Sequence, residues 1–261
     1  MKPFNAILET KNLTIGYERK GQETVVASEI NLALNQGELV AVVGANGVGK
    51  STLLRTLSQV QKPLAGTIDI LGKSLETYTP LALATALGLV LTDPIASRNL
   101  TVAELVALGR QPYTNWVGRL TEVDRTKISE ALEQMHILDL SSKKCHELSD
   151  GQLQKALIAR AIAQDTPLII LDEPTTHLDI YHKTYVLKLL QKLTHEMQKT
   201  LLFSTHEIDL AIQLCDKIVI MIPNKIYYGT PKELIEEGCF SALFPEDLID
   251  FDSETRSFKM R

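Results

Sequence analysis

The residues Leu39-Val40-Ala41-Val42-Val43 run apolar without interruption. A valine-rich run of this length, bounded by turn residues, predicts a strand buried on both faces, as in a parallel sheet. Upstream, apolar stretches predict strands over 6–8, 13–17 and 24–34, separated by turn signals such as Arg19-Lys20-Gly21 and Asn35-Gln36-Gly37. A glycine-rich turn follows residue 43, and the spacing then predicts a helix over 51–59. Next come a short strand over 66–71, a loop and helix, and an apolar strand over 87–91.

Between 99 and 165 the chain reads as mostly helical. Thr101-Val102-Ala103-Glu104 and Thr121-Glu122-Val123-Asp124 have the form of capping boxes, and Ile128, Leu132 and Met135 recur at helical spacing. From 167 strands and helices alternate: strand 168–171, helix 182–197, strand 201–204, helix 207–214, strand 218–221. A helix is expected over 231–237 in a charged tail. The pattern predicts an α/β core over 1–94 and 161–230, a helical subdomain over 95–160, and a tail over 231–261.

The 261 residues fit one large domain, and 44% hydrophobic content rules out disorder, collagen and a disulfide scaffold. A net charge of −5 with 5% aromatics argues against a nucleic-acid partner, which usually needs a basic patch. Cys145, Cys215 and Cys239 lie far apart without a CxxC pair, so free thiols in a reducing compartment are expected rather than structural zinc. The first residues have no apolar core of a secretory signal, and no apolar stretch approaches the roughly 20 residues of a spanning helix. A role at a membrane would need another chain to do the spanning.

Gly44-Ala45-Asn46-Gly47-Val48-Gly49-Lys50-Ser51, followed by Thr52, matches the phosphate-loop pattern G-x-x-x-x-G-K-[ST] in the strand–loop–helix context it requires. Small residues let backbone N–H groups converge on phosphate oxygens, and the following helix adds the positive end of its dipole. Lys50 would reach the β- and γ-phosphates, and the Ser51 hydroxyl would ligate Mg²⁺. The run 168–171 delivers Asp172 and Glu173 at its C-terminal end, where ligands bind in open α/β sheets. Asp172 can hold Mg²⁺, and Glu173 can polarise a water for attack on the γ-phosphate.

Leu148-Ser149-Asp150-Gly151-Gln152 resembles the signature of ATP-binding cassette (ABC) ATPases, commonly written LSGGQ. Ser149 is a good N-cap, Gly151 permits close approach, and the helix start, which includes Gln152, attracts anions. Other marks follow in family order: Tyr17 where the family stacks an aromatic on adenine, Thr176-His177-Leu178-Asp179 resembling the D-loop, and His206 resembling the switch histidine. The resemblance covers almost the whole chain. It implies a P-loop NTPase core with a mostly parallel sheet, an antiparallel β subdomain at the N-terminus and a helical insertion. It also implies ATP and Mg²⁺ as cofactors, with Glu173, His206 and Lys50 as catalytic groups.

The resemblance further implies a homodimer with two ATPs held between the phosphate loop of one copy and residues 149–152 of the other. The run from Val102 through Leu105, Val106, Leu108, Gly109, Arg110, Pro112 and Tyr113 looks like the ATPases of iron–siderophore, haem and vitamin B12 importers. That implies integral-membrane permease subunits, a periplasmic or lipoprotein substrate-binding protein, and a place on the cytoplasmic face of the cell membrane. The same apolar positions would bury one helix face whatever is carried. One departure matters: the family usually carries a glutamine at the end of the strand over 87–91, and here Thr92-Asp93 stand instead. Asp93, or else Thr92, is the candidate for the Mg²⁺ shell. The competing readings are a soluble ABC ATPase of translation or DNA-repair type and a regulatory ATP-binding subunit without turnover; Glu173 and His206 argue against the second.

Overall fold

The computed structural model describes residues 6–19, 21–92, 98–176, 178–244, 249–253 and 255–260. The stretches at 6–8 and 13–17 are one strand, β1 (Ala6–Arg19), and the run 24–34 divides into β2 (Gln22–Ile30) and β3 (Ala33–Asn35). β4 (Leu39–Gly44) leads through the glycine-rich turn into α1 (Lys50–Leu57). β5 (Ala65–Ile70), β6 (Lys73–Ser74), α2 (Pro80–Ala86) and β7 (Leu87–Val90) follow. The helical segment holds α3 (Val102–Ala107), α4 (Glu122–Gln134) and α5 (Asp150–Ala163). The chain then alternates through β8 (Leu168–Leu171), α6 (Ile180–His195), β9 (Thr200–Ser204), α7 (Ile208–Leu214) and β10 (Lys217–Ile222). It ends with β11 (Lys225–Gly229), α8 (Pro231–Glu236), β12 (Ile249–Asp252) and β13 (Ser257–Met260).

β1 bridges its polar middle because both of its edges are paired. Leu8, Glu9, Thr10 and Lys11 face β5, while β3 and β2 share the other edge, β3 against residues 6–9 and β2 against residues 13–19. The Thr10 hydroxyl fills that gap, donating to Ile30 O and accepting from Leu32 N, both at 2.9 Å.

The second sheet has the order β11-β10-β4-β9-β8-β7. All neighbours from β10 to β7 are parallel, and β11 pairs antiparallel at the edge. Its two faces explain the unbroken apolar run in β4. Leu39, Ala41 and Val43 pack into a core with α5 and α6, whereas Val40 and Val42 pack with α1 and the antiparallel sheet. At about 25 cal/mol per Å² of apolar surface, such two-sided burial is the main cohesive term of the fold.

The helical subdomain starts each of its helices on a capped threonine or serine. Thr101, Thr121 and Ser149 each accept from the N3 backbone of α3, α4 and α5 and receive the reciprocal side-chain bond. Two residues of the run 102–113 have packing roles. A Cβ at Gly109 would sit 2.2 Å from Arg160 O. Arg110 is buried, donating from Nε to Asp124 Oδ1 and from Nη1 to Ala163 O, both at 2.8 Å, and so ties α4 to α5.

The β10–β11 hairpin and the β12–β13 hairpin were not expected from the pattern. The latter is anchored by ring contacts among Phe240, Phe251, Phe258 and Phe244 at centroid distances of 5.0–5.1 Å. The three cysteines are free and buried. Among the described residues, no helix is long and apolar enough to cross a membrane.

Candidate functional site

The turn after β4 has the geometry of an anion cradle. Gly47 and Gly49 have φ of 78° and 112°, a region that side-chain-bearing residues rarely adopt. A Cβ at Gly49 would also lie 2.3 Å from Val26 Cγ1, so this position is closed to any other residue on two counts. Ala45, Asn46 and Gly47 are exposed at the loop's crest; Val48 and Ser51 are half-buried, and Thr52 is buried. Lys50 is buried, and its Nζ donates to Gly44 O (2.9 Å) and Ala45 O (3.2 Å). Burial lowers the Lys50 pKa from 10.5, while the charges of Glu173 and Asp172 pull it back up. All three groups therefore share one electrostatic site.

Asp172 and Glu173 leave β8 beside the end of β9. Asp172 is 1% exposed, and its Oδ1 accepts from Ser204 Oγ at 2.6 Å. Thr92 Oγ1 stands 3.5 Å from Oδ2. Glu173 adopts a left-handed backbone (φ 49°), and its N–H donates to Ser204 Oγ at 2.8 Å. Its carboxylate is bonded to Thr176 Oγ1 at 3.1 Å and to His206 Nε2 at 2.8 Å. Burial pushes the Glu173 carboxyl up, but the bonds from His206 and Thr176, with the charges of His206 and Lys50, hold it below its ordinary 4.5. Sequence reasoning missed Ser204 and the bond from Thr176. A serine closing an apolar strand carries no signal of what it faces across the sheet.

The donor chemistry suits a hard cation with few protein ligands. Asp172 Oδ2 accepts no short hydrogen bond among the described residues, and Ser51, in the first turn of α1, follows the buried Lys50 whose charge the two carboxylates feel. No group of three or more His, Cys, Asp or Glu residues among the described residues could form a closed metal cage. Asp93, the other residue expected there, lies outside the described residues, as does His177.

Tyr17 is 45% exposed, and its hydroxyl bonds Thr52 Oγ1 at 2.5 Å. That contact holds its ring at the rim of the phosphate loop. Ser149, Gly151 and Gln152 lie elsewhere. They line a cleft of about 560 Å³ together with Lys155, Asp179 and His182, and no phosphate-loop residue lines it. Ser149 and Gln152 are bonded to each other as the capping box of α5. Asp179 caps α6, accepting from His182 N at 2.8 Å. Its carboxyl is held below the ordinary range by the bonds from His182. Lys155, buried at the wall of the cleft, has its pKa lowered by burial and raised in part by Asp179. The structure thus joins Lys50, Asp172, Glu173 and His206 in one site, and Ser149, Gly151, Gln152 and Asp179 in another.

Comparison with known proteins gives the chain's family and fold. The family profile described as ABC transporter matches residues 27–176. The petrobactin import ATP-binding protein FpuD of Bacillus anthracis is 38% identical over 91% of this chain and 86% of its own length. A chain described as part of a metal-chelate type ABC transporter in an inward-facing conformation superposes with a TM-score of 0.79 at 29% identity, covering 98% of this chain and 96% of that one. The dimeric post-hydrolysis state of an ATP-binding cassette bound to ADP and Pi superposes at 0.74 with 28% identity, covering 84% and 97%.

Proposed function

The chain belongs to the ABC transporter family, and on that premise we propose that it is the ATP-hydrolysing subunit of a membrane importer for iron–siderophore, haem or cobalamin-type metal chelates. The observation that carries the catalytic part is the meeting of Lys50, Asp172, Glu173 and His206 at the carboxyl ends of neighbouring parallel strands. Lys50 exchanges the carbonyls of Gly44 and Ala45 for phosphate oxygens, a stronger charge-assisted bond. The backbone of Gly44 through Gly49, with Ser51 and Thr52, cradles the phosphates, and Tyr17 stacks on the adenine. Ser51 and Asp172 would hold Mg²⁺, which would supply charge neutralisation at the phosphates. Glu173, ionised and steadied by Thr176, accepts the proton of the attacking water. His206, now bonded to Glu173, is the group beside the γ-phosphate.

Two copies would pair about a two-fold axis so that Ser149, Gly151, Gln152 and Asp179 of each close on the nucleotide of the other. ATP's differential affinity for the closed pair drives closure, and hydrolysis reopens it. A groove lined by Pro80, Leu81, Leu83, Leu108, Pro112 and Trp116 is where a permease segment would seat. A substrate-binding protein on the far side of the membrane would deliver the chelate. The cargo class rests on the run 102–113 and on the likeness to the petrobactin import protein.

The test is co-purification and vesicle transport. The chain expressed with its membrane partner should drive ATP-dependent uptake of a ferric siderophore, lost in Glu173→Gln. Recovery with ribosomes or repair complexes, and no permease, would sink the importer reading.

A further inference from the structure

Ser204 closes β9 and is fully buried, although nothing in an apolar core needs a hydroxyl there. β8 and β9 run parallel with Leu171 beside Phe203, so the next pair in register is Asp172 beside Ser204. The Ser204 hydroxyl has one proton, and it goes to Asp172 Oδ1 at 2.6 Å. The same oxygen accepts the backbone N–H of Glu173 at 2.8 Å. One atom thus bonds both residues of the carboxylate pair, one through its side chain and one through its main chain. The Glu173 backbone is left-handed at φ 49°, a conformation that persists only where the surroundings enforce it. The Ser204 bond is one such restraint.

We propose that Ser204 is the positioning residue of this site, fixing Asp172 so that Oδ2 is the oxygen offered to the cation and fixing the turn that aims Glu173. The inference rests on the proposed ATPase reading and deepens it. Rotation of the Asp172 carboxylate is blocked on the Oδ1 side by the short Ser204 bond. On the Oδ2 side the Thr92 hydroxyl is the neighbour, at the position where the family's glutamine is absent. Outer-shell hydrogen bonds of this kind orient metal ligands, and their loss commonly costs about 10–100-fold in metal affinity.

The experiment measures Mn²⁺ affinity of the nucleotide-bound full chain by electron paramagnetic resonance, beside metal-free nucleotide binding and steady-state kinetics. Ser204→Ala should weaken Mn²⁺ binding by about tenfold or more. It should lower kcat while leaving metal-free nucleotide affinity near the parent's. Ser204→Thr and Ser204→Val form a second pair, of equal size and differing only in hydroxyl against methyl. Thr should hold Mn²⁺ more tightly than Val by a similar factor, even if the added carbon strains both folds. Parent-like Mn²⁺ affinity in Ser204→Ala, or equal affinity in the Thr and Val variants, overturns the proposal. Failure of the parent to bind nucleotide at all overturns the ATPase reading instead.

Discussion

Replacing Glu173 with Gln removes one oxygen's charge and basicity while keeping the shape of the side chain. In the structure the carboxylate touches Thr176 Oγ1 and His206 Nε2, and its main chain is held by Ser204. A Gln amide oxygen still accepts from Thr176 or His206, and the backbone bond is untouched, so the fold should be unaffected. What disappears is the proton acceptor. General-base catalysis contributes about 10²–10⁴-fold, which is a barrier increase of about 2.7–5.5 kcal/mol at 1.36 kcal/mol per tenfold. Glu173→Gln should therefore lose turnover by that factor, retain ATP, and accumulate as a nucleotide-loaded pair when wild type pairs under the same conditions. The assays are phosphate release and gel filtration with retained nucleotide. The pH dependence of kcat/KM gives an independent check, because it reports the free enzyme. Burial raises the Glu173 carboxyl, yet the bonds from His206 and Thr176 leave it below 4.5. A base held below 4.5 is ionised above that pH, so no acid limb assigned to Glu173 should appear above about pH 4.5. A variant that hydrolyses ATP within about threefold of the parent would remove Glu173 from the mechanism. An acid limb near neutral pH that vanishes in the variant would refute the electrostatic argument.

Lys50→Ala deletes the buried cation of the phosphate loop and should weaken nucleotide binding by about 1.5–3 kcal/mol, read by titration with a fluorescent ATP analogue. Tyr17→Ala should cost about 1–3 kcal/mol of adenine stacking in the same titration, whereas Tyr17→Phe, which loses only the bond to Thr52, should stay near the parent. Asp124→Ala strands the buried Arg110 and should destabilise the chain by about 3–5 kcal/mol in denaturant melts. The hydroxyl and backbone N–H of Thr121, then Arg110, hold the Asp124 carboxyl at about 2 against an ordinary 3.8. Its stabilisation is therefore present above pH 3.8 and lost as pH falls towards 2; equal acid sensitivity in Asp124→Asn and the parent would contradict this.

The parts of the fold legible in the sequence are those whose cause is local. The phosphate loop, the capping boxes at Thr101 and Thr121, and the two-sided run in β4 each write their geometry into adjacent residues. The merger of two short runs into β1 was not legible, because the polar residues between them are carried by partners on β3 and β5. β11 does carry a local signal: Pro223-Asn224 makes a turn, and the Ile-Tyr-Tyr stretch after it suits an edge strand. Within the site, Lys50, Asp172, Glu173 and His206 were readable from motif order, but Ser204 becomes meaningful only when β8 and β9 are laid in register.

The signature residues teach the opposite lesson: their order in the sequence says nothing of where they face. Ser149 and Gln152 bond each other as a capping box, which satisfies two of the donors at the start of α5. The cleft they border is shared with Asp179 and His182. The phosphate loop instead meets Asp172 and Glu173. Within one chain, each half of the chemistry thus has an open side. On the proposed reading, that second surface would meet another copy's nucleotide. The reading of a paired machine rests on that separation more than on the motif itself, and it requires that a substitution at Gly151 impair hydrolysis while leaving nucleotide affinity of the single chain intact.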